Sequence, residues 1–221
     1  MKVEASDRIK ELGGYAFAEI DKIVDGLKAK GIKPIDFGVG DPTVPTPDLV
    51  RRAAKKAIDK RKSDGYPSYI GSREYRDAIA KWNKKSFGVT LDSEKEIASN
   101  IGSKEAVFNF PEAFVNPGDY VLAPNPGYPP YERGTRFAEG KTYYMNLLAE
   151  NDFFPDLEAI PNDVAKKAKI MWLNYPNSPT GKNATKKFYK EAIDFSHDNS
   201  IILASDEAYT EIYFREKPIS I

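Results

Sequence analysis

Apolar residues recur along this chain with two different periods, and the change of period divides it. Through the first 33 residues Ile9, Leu12, Phe17, Ile20, Ile23, Val24 and Leu27 return at roughly helical spacing, which predicts an arm or helix ending at Gly31. Ile35, Phe37 and Val39 then alternate, as extended chain does, before the turn-rich run GDPTVPTP. A basic helix is expected from Asp48 to about Lys62, stopped by Asp64-Gly65. A second begins near Ser72, carries Tyr75, Ile79 and Trp82 on one face, and closes at Gly88.

Beyond Leu91 short apolar runs alternate with helical stretches, the pattern of an α/β fold with a parallel sheet. Strands are predicted at residues 96–101, 120–123, 141–145, 170–174 and 201–205, and helices at residues 104–115 and 185–199. No repeat, low-complexity run or flexible linker interrupts the alternation.

The 221 residues suffice for one α/β domain with a large core and part of a second. Lys and Arg (33) balance Asp and Glu (33) without a long single-sign block, so neither nucleic acid nor a membrane surface is an expected partner. The lack of cysteine excludes a disulfide scaffold, a Cys-x-x-Cys metal site and a thiol nucleophile. The opening MKVEASDRIKEL is charged where a signal peptide would be apolar, and no run approaches the roughly 20 apolar residues of a membrane span; a cytoplasmic protein is expected. His197, the one histidine, reads as a surface helix residue, and no metal site is expected because carboxylates do not cluster with it at ligand spacing.

In an open parallel sheet, ligands bind at the carboxyl ends of the strands. Those ends carry Gly102-Ser103-Lys104, the turn from Pro124 to Tyr128, the loop from Asn174 to Thr180, and the segment from Asp206 to Tyr209. The first places a glycine and a hydroxyl where a strand gives way to a helix, an anion site suited to phosphate. A glycine turn with Ser103 as a plain N-cap accounts for the same residues. Asp206 follows the apolar run IILAS, so its carboxylate emerges into a partly dry crevice and needs a cationic partner; a bound cation, a structural ion pair or a helix cap accounts for it. The segment NYPNSPTG fixes a rigid loop through two prolines and a glycine. Tyr128, held among prolines in NPGYPPY, suits either stacking on a flat ring or packing in the core.

Taken in order, GVGDP, IGSKEAVFN, NPGYPPY, YPNSPTG and SDEAY resemble the class I/II aminotransferases, fold-type-I enzymes that use pyridoxal 5'-phosphate. The resemblance covers essentially the whole chain. Within the group the chain is most similar to the branch containing LL-diaminopimelate aminotransferase, on GGYAFAEI, GDPTVPTP and YPSYIGSREYRDAIAKW. It implies a three-layer, mostly parallel sheet as an incomplete large domain over residues 46–221, with an N-terminal arm and part of a small domain over residues 1–45. It further implies that Gly102, Ser103 and Lys104 lie at the cofactor phosphate, that Tyr128 stacks on the pyridine ring, that Asn177 and Tyr209 bond its phenolic oxygen, and that Asp206 pairs with its nitrogen. Tyr66 matches a tyrosine that reaches the phosphate of the other subunit, implying a homodimer, while Gly40 and Tyr15 match positions at the substrate. Amino acids and 2-oxo acids are the implied substrates.

No residue matches the family's Schiff-base lysine, which follows a further strand beyond SDEAY, nor the arginines that hold phosphate and substrate carboxylate. Lys104 belongs to the phosphate corner, and Lys182, Lys186 and Lys187 run into a helix. The expectation is therefore a fragment of the enzyme, inactive alone, whose sheet has a gap beside the strand ending at Ser205. A related lyase or synthase, and a non-catalytic remnant of the fold, are the competing readings.

Overall fold

The structure is a computed structural model that describes residues 3–10, 12, 16–35, 37, 40 and 44–221, and for residues 16–18 the backbone only. Two compact units make up the chain, Met1–Ser72 and Arg73–Ile221. Residue 45, the boundary expected from the resemblance, falls inside the first.

In the second unit β1 (Tyr120–Asn125), β2 (Lys141–Asn146), β3 (Ala168–Asn174) and β4 (Ile202–Asp206) form a four-stranded sheet in the order β2-β1-β3-β4. All three ladders are parallel, as the alternation of apolar runs and helices predicts. Both faces of the central strands are buried because side chains alternate across a strand. Val121, Ala123, Ile170 and Trp172 pack on one face with Val107 of α5 (Ser103–Asn109) and Tyr131 of α6 (Pro129–Phe137). Leu122, Met171 and Leu173 pack on the other with Val164 of α7 (Asn162–Ala165) and Phe188, Tyr189 and Ala192 of α8 (Lys186–Asp198). Helices on both faces make the three layers.

Local chemistry explains the helix limits. Thr185 caps α8, its hydroxyl accepting from the Phe188 N–H at 3.1 Å. The helix predicted over residues 104–115 is α5 followed by a 3-10 turn, Phe110–Ala113, because Pro111 has no N–H and crowds the preceding carbonyls. In NPGYPPY the sequence suggests only a turn. Pro129 and Pro130 instead open α6, where their missing N–H groups cost nothing.

The strand predicted at residues 96–101 does not form. Its two-residue period survives, with Ile97 and Ser99 half-buried and Ala98 and Asn100 exposed. A ladder needs a neighbour, and among the described residues none pairs with this segment. Ile101 ends it 94% exposed, and β4 is an edge strand.

The first unit holds α1 (Asp7–Lys10), α2 (Ala16–Ala29) and α3 (Asp48–Lys60). Gly31 adopts φ 77°, and the Ile32 N–H returns to the Leu27 carbonyl at 3.1 Å, the left-handed helix end its position predicts. The basic helix is α3, which buries no residue. The helix near Ser72 is α4 (Arg73–Phe87), at the start of the second unit.

Candidate functional site

Because every ladder is parallel, the carboxyl ends of β1, β3 and β4 lie on one rim of the sheet. In the β3–β4 register Asn174 stands opposite Asp206, so the loop after β3 and the acid after β4 emerge side by side.

Asp206 is half-buried and held at two points. The Tyr131 hydroxyl donates to its Oδ2 at 2.8 Å, and Asn174 Nδ2 donates to its main-chain carbonyl at 2.9 Å. Among the described residues no Lys, Arg or His comes within ion-pair distance of it, and its Oδ1 accepts no hydrogen bond. The expected structural ion pair is therefore absent among them, while the need for a cation remains. Tyr131 is 1% exposed and stacks on Trp172 at 5.0 Å. Burial first, then the Asp206 charge and hydrogen bond, hold its phenol far above the usual value, so it is a permanent donor.

The loop after β3 is built around Asn177. Its Oδ1 accepts from the Thr180 hydroxyl at 2.7 Å and from the Thr180 N–H at 3.2 Å. The Gly181 N–H returns to the Asn177 carbonyl, and the Asn177 N–H donates to the Lys182 carbonyl, each at 2.8 Å. This double anchoring orients the amide, yet Asn177 is 4% exposed and its Nδ2 has no partner among the described residues. An orphaned buried donor is costly and marks a place for an acceptor. Asn177 and Tyr209 line one open cavity of about 770 Å³.

At the third corner Gly102, with φ 79°, turns the chain into α5. Gly102 rather than Ser103 is the N-cap, and no side chain caps the helix. The Ser103 and Lys104 N–H groups, first in the helix, have no acceptor among the described residues. Glu105 turns back to accept from the Ile101 N–H at 2.7 Å. Lys104 Nζ lies 6.0 Å from the centre of the Tyr128 ring, and Tyr128 meets Tyr131 edge-on at 5.9 Å. Ring contact and hydrogen bond thus link Tyr128 through Tyr131 to Asp206, with the Lys104 ammonium near the outer ring. Tyr128 is 38% exposed, which leaves ring surface free and argues against its burial in the core.

In the first unit Gly40 is exposed, with no described atom within 4 Å of where a Cβ would lie, and Tyr66 is fully exposed; Tyr15 lies outside the described residues. His197 is exposed beside Asp198. Lys182 pairs with Asp152, and its Nζ lies 5.1 Å from the Phe154 ring centre.

Sequence reasoning missed Tyr131 and the bridging role of Asn174. Tyr131 stands three residues after Tyr128, a spacing that signals a shared face only once α6 is recognised. Asn174 is the last residue of β3, and its reach to β4 depends on the ladder register.

The geometry is that of a parallel sheet with an acid at the end of β4 and an orphaned amide in the loop after β3. The profile of the family "Aminotransferase class I and II" matches residues 32–221. The chain belongs to this family. It is 51% identical over 219 residues to LL-diaminopimelate aminotransferase of Aquifex aeolicus, a match covering 99% of the chain and 57% of the relative. Among solved structures, apo-BacF of Bacillus subtilis is similar with a TM-score of 0.92 at 38% identity, covering 100% of this chain and 56% of that one. Aspartate aminotransferase of Thermus thermophilus is similar at 0.90 and 26%, covering 99% and 57%. The chain thus spans somewhat over half the length of the relatives it matches.

Proposed function

We propose that this chain forms the cofactor-binding part of a pyridoxal-phosphate aminotransferase, which passes an amino group from an amino acid to a 2-oxo acid. Two unmet groups carry the reading: the buried, unpartnered Nδ2 of Asn177, in the loop that Asn174 ties to the end of β4, and the cation-less carboxylate of Asp206 at that end. A flat ring with a phenolic oxygen and a protonated nitrogen satisfies both, and its phosphate suits the free N–H groups of Ser103 and Lys104. The residues present therefore fit the group.

Bound pyridoxal phosphate supplies an electron sink for the charge left on the substrate's α-carbon. Asp206 keeps the ring nitrogen protonated, which deepens that sink. Asn177 and Tyr209 donate to the phenolic oxygen, and Tyr128 lies against the ring face. Gly40 and Tyr15 border the substrate. The fully exposed Tyr66 supports a reach to a second subunit's phosphate, hence a homodimer. A cytoplasmic setting fits the cysteine-free sequence.

Equilibrium binding of pyridoxamine 5'-phosphate, which needs no covalent lysine, tests the cofactor site. Saturable binding to the chain, weakened at least about tenfold by Asp206→Asn, is expected. Absence of binding, or binding indifferent to Asp206→Asn, overturns the reading.

A further inference from the structure

Asp206 is useful to a cationic ring only if it stays ionised and presents the correct oxygen, and its backbone contact with Asn174 secures neither. The side chain has one partner among the described residues, the Tyr131 hydroxyl on Oδ2 at 2.8 Å. That hydroxyl is itself immobile. Its ring is 1% exposed, lies nearly parallel to Trp172 (18° between planes), and is crossed edge-on by Tyr128. Within the same helix the buried Thr135 hydroxyl donates to the Tyr131 carbonyl at 2.7 Å.

We propose that Tyr131 is a positioning residue: its hydroxyl pins Asp206 through Oδ2 and leaves Oδ1 as the oxygen turned toward the cofactor's ring nitrogen. This rests on the cofactor reading above and adds to it a residue outside the ring's own contacts. A donor fixed on one carboxylate oxygen favours the charged form. Without it Asp206 loses its one side-chain partner among the described residues, the carboxylate is free to turn, and its hold on the proton of the ring nitrogen weakens.

The test uses the 221-residue chain, pyridoxamine 5'-phosphate labelled with ¹⁵N in the ring, and four proteins: wild type, Tyr131→Phe, Asp206→Asn and the double variant. Phenylalanine keeps the stack on Trp172 and removes only the hydroxyl. Tyr131→Phe is expected to weaken binding about tenfold and to shift the ring ¹⁵N signal toward its unprotonated position. The double variant is expected to match Asp206→Asn, because Tyr131 acts through that carboxylate. A general packing defect would instead add its full cost in the Asp206→Asn background. An unmoved ¹⁵N signal in Tyr131→Phe, or full additivity, overturns the inference while leaving the cofactor reading intact. If the wild type takes up no ligand, the cofactor reading itself fails and this inference with it.

Discussion

Asn174 spans the carboxyl ends of two neighbouring strands: its Nδ2 donates to the Asp206 carbonyl at 2.9 Å while its Oδ1 accepts from the Ser178 N–H at 3.0 Å. One side chain thereby ties the loop carrying Asn177 to the strand carrying Asp206, and fixes the spacing between the two candidate ring contacts. At 7% exposure, neither bond is readily replaced by water.

Asn174→Ala is therefore expected to lower stability by about 1–3 kcal/mol, since it orphans a donor and an acceptor. Urea unfolding followed by circular dichroism measures this. A change within about 0.5 kcal/mol would show that the tie is dispensable.

Gly134 lets α6 lie against α5: a Cβ there would meet the Phe108 carbonyl oxygen at 2.3 Å, a main-chain atom that a rotamer change cannot move. Gly134→Ala is expected to cost about 1–3 kcal/mol. Gly26, inside α2 with no described atom outside its own helix turn within 4 Å of where a Cβ would lie, is the contrasting site, where alanine is expected to stabilise the helix by about 0.5–1 kcal/mol. Thermal melts of the two variants shifting in the same direction would contradict this account of the α5–α6 contact.

Burial, above all, raises the phenols of Tyr131, Tyr175 and Tyr189, with nearby Asp206, Tyr189 and Glu207 respectively adding to it. Their folded values lie above the unfolded value of about 10, so the stability they contribute is complete below about pH 10. It is lost as pH climbs through the folded values, because the unfolded chain releases these protons first. Each tyrosine contributes a slope of up to about 1.4 kcal/mol per pH unit. Urea midpoints should fall steeply above about pH 10, and Tyr175→Phe should make the fall shallower. An unchanged slope in that variant would rule out Tyr175 as a contributor.

Much of the fold was legible because period and punctuation agree: β1, β2, β3 and β4 lie where short apolar runs predict, and Gly31 ends its helix region in the left-handed conformation. The failures share a cause, reliance on chain segments that only tertiary context decides. Residues 96–101 carry the pattern of a strand but lack a pairing partner among the described residues. Pro129-Pro130 look like turn residues and serve as a helix start. Of the candidate site residues, Asp206 and Asn177 follow strands that do form, whereas Ser103 follows a segment that does not. Tyr131 was not legible, since its bond to Asp206 joins residues 75 apart and exists only when the Tyr131 ring of α6 stacks on Trp172 of β3.

The central claim is that one small, doubly charged molecule touches both the mouth of α5 and the end of β4. NMR titration of the chain with pyridoxamine 5'-phosphate tests it most directly. The backbone amides of Ser103 and Lys104, the Asn177 side-chain amide and the Asp206 amide are expected to shift along a single saturation curve, while inorganic phosphate moves only the first two. If the two ends saturate at different concentrations, or only one end responds, they do not form one site and the account is wrong.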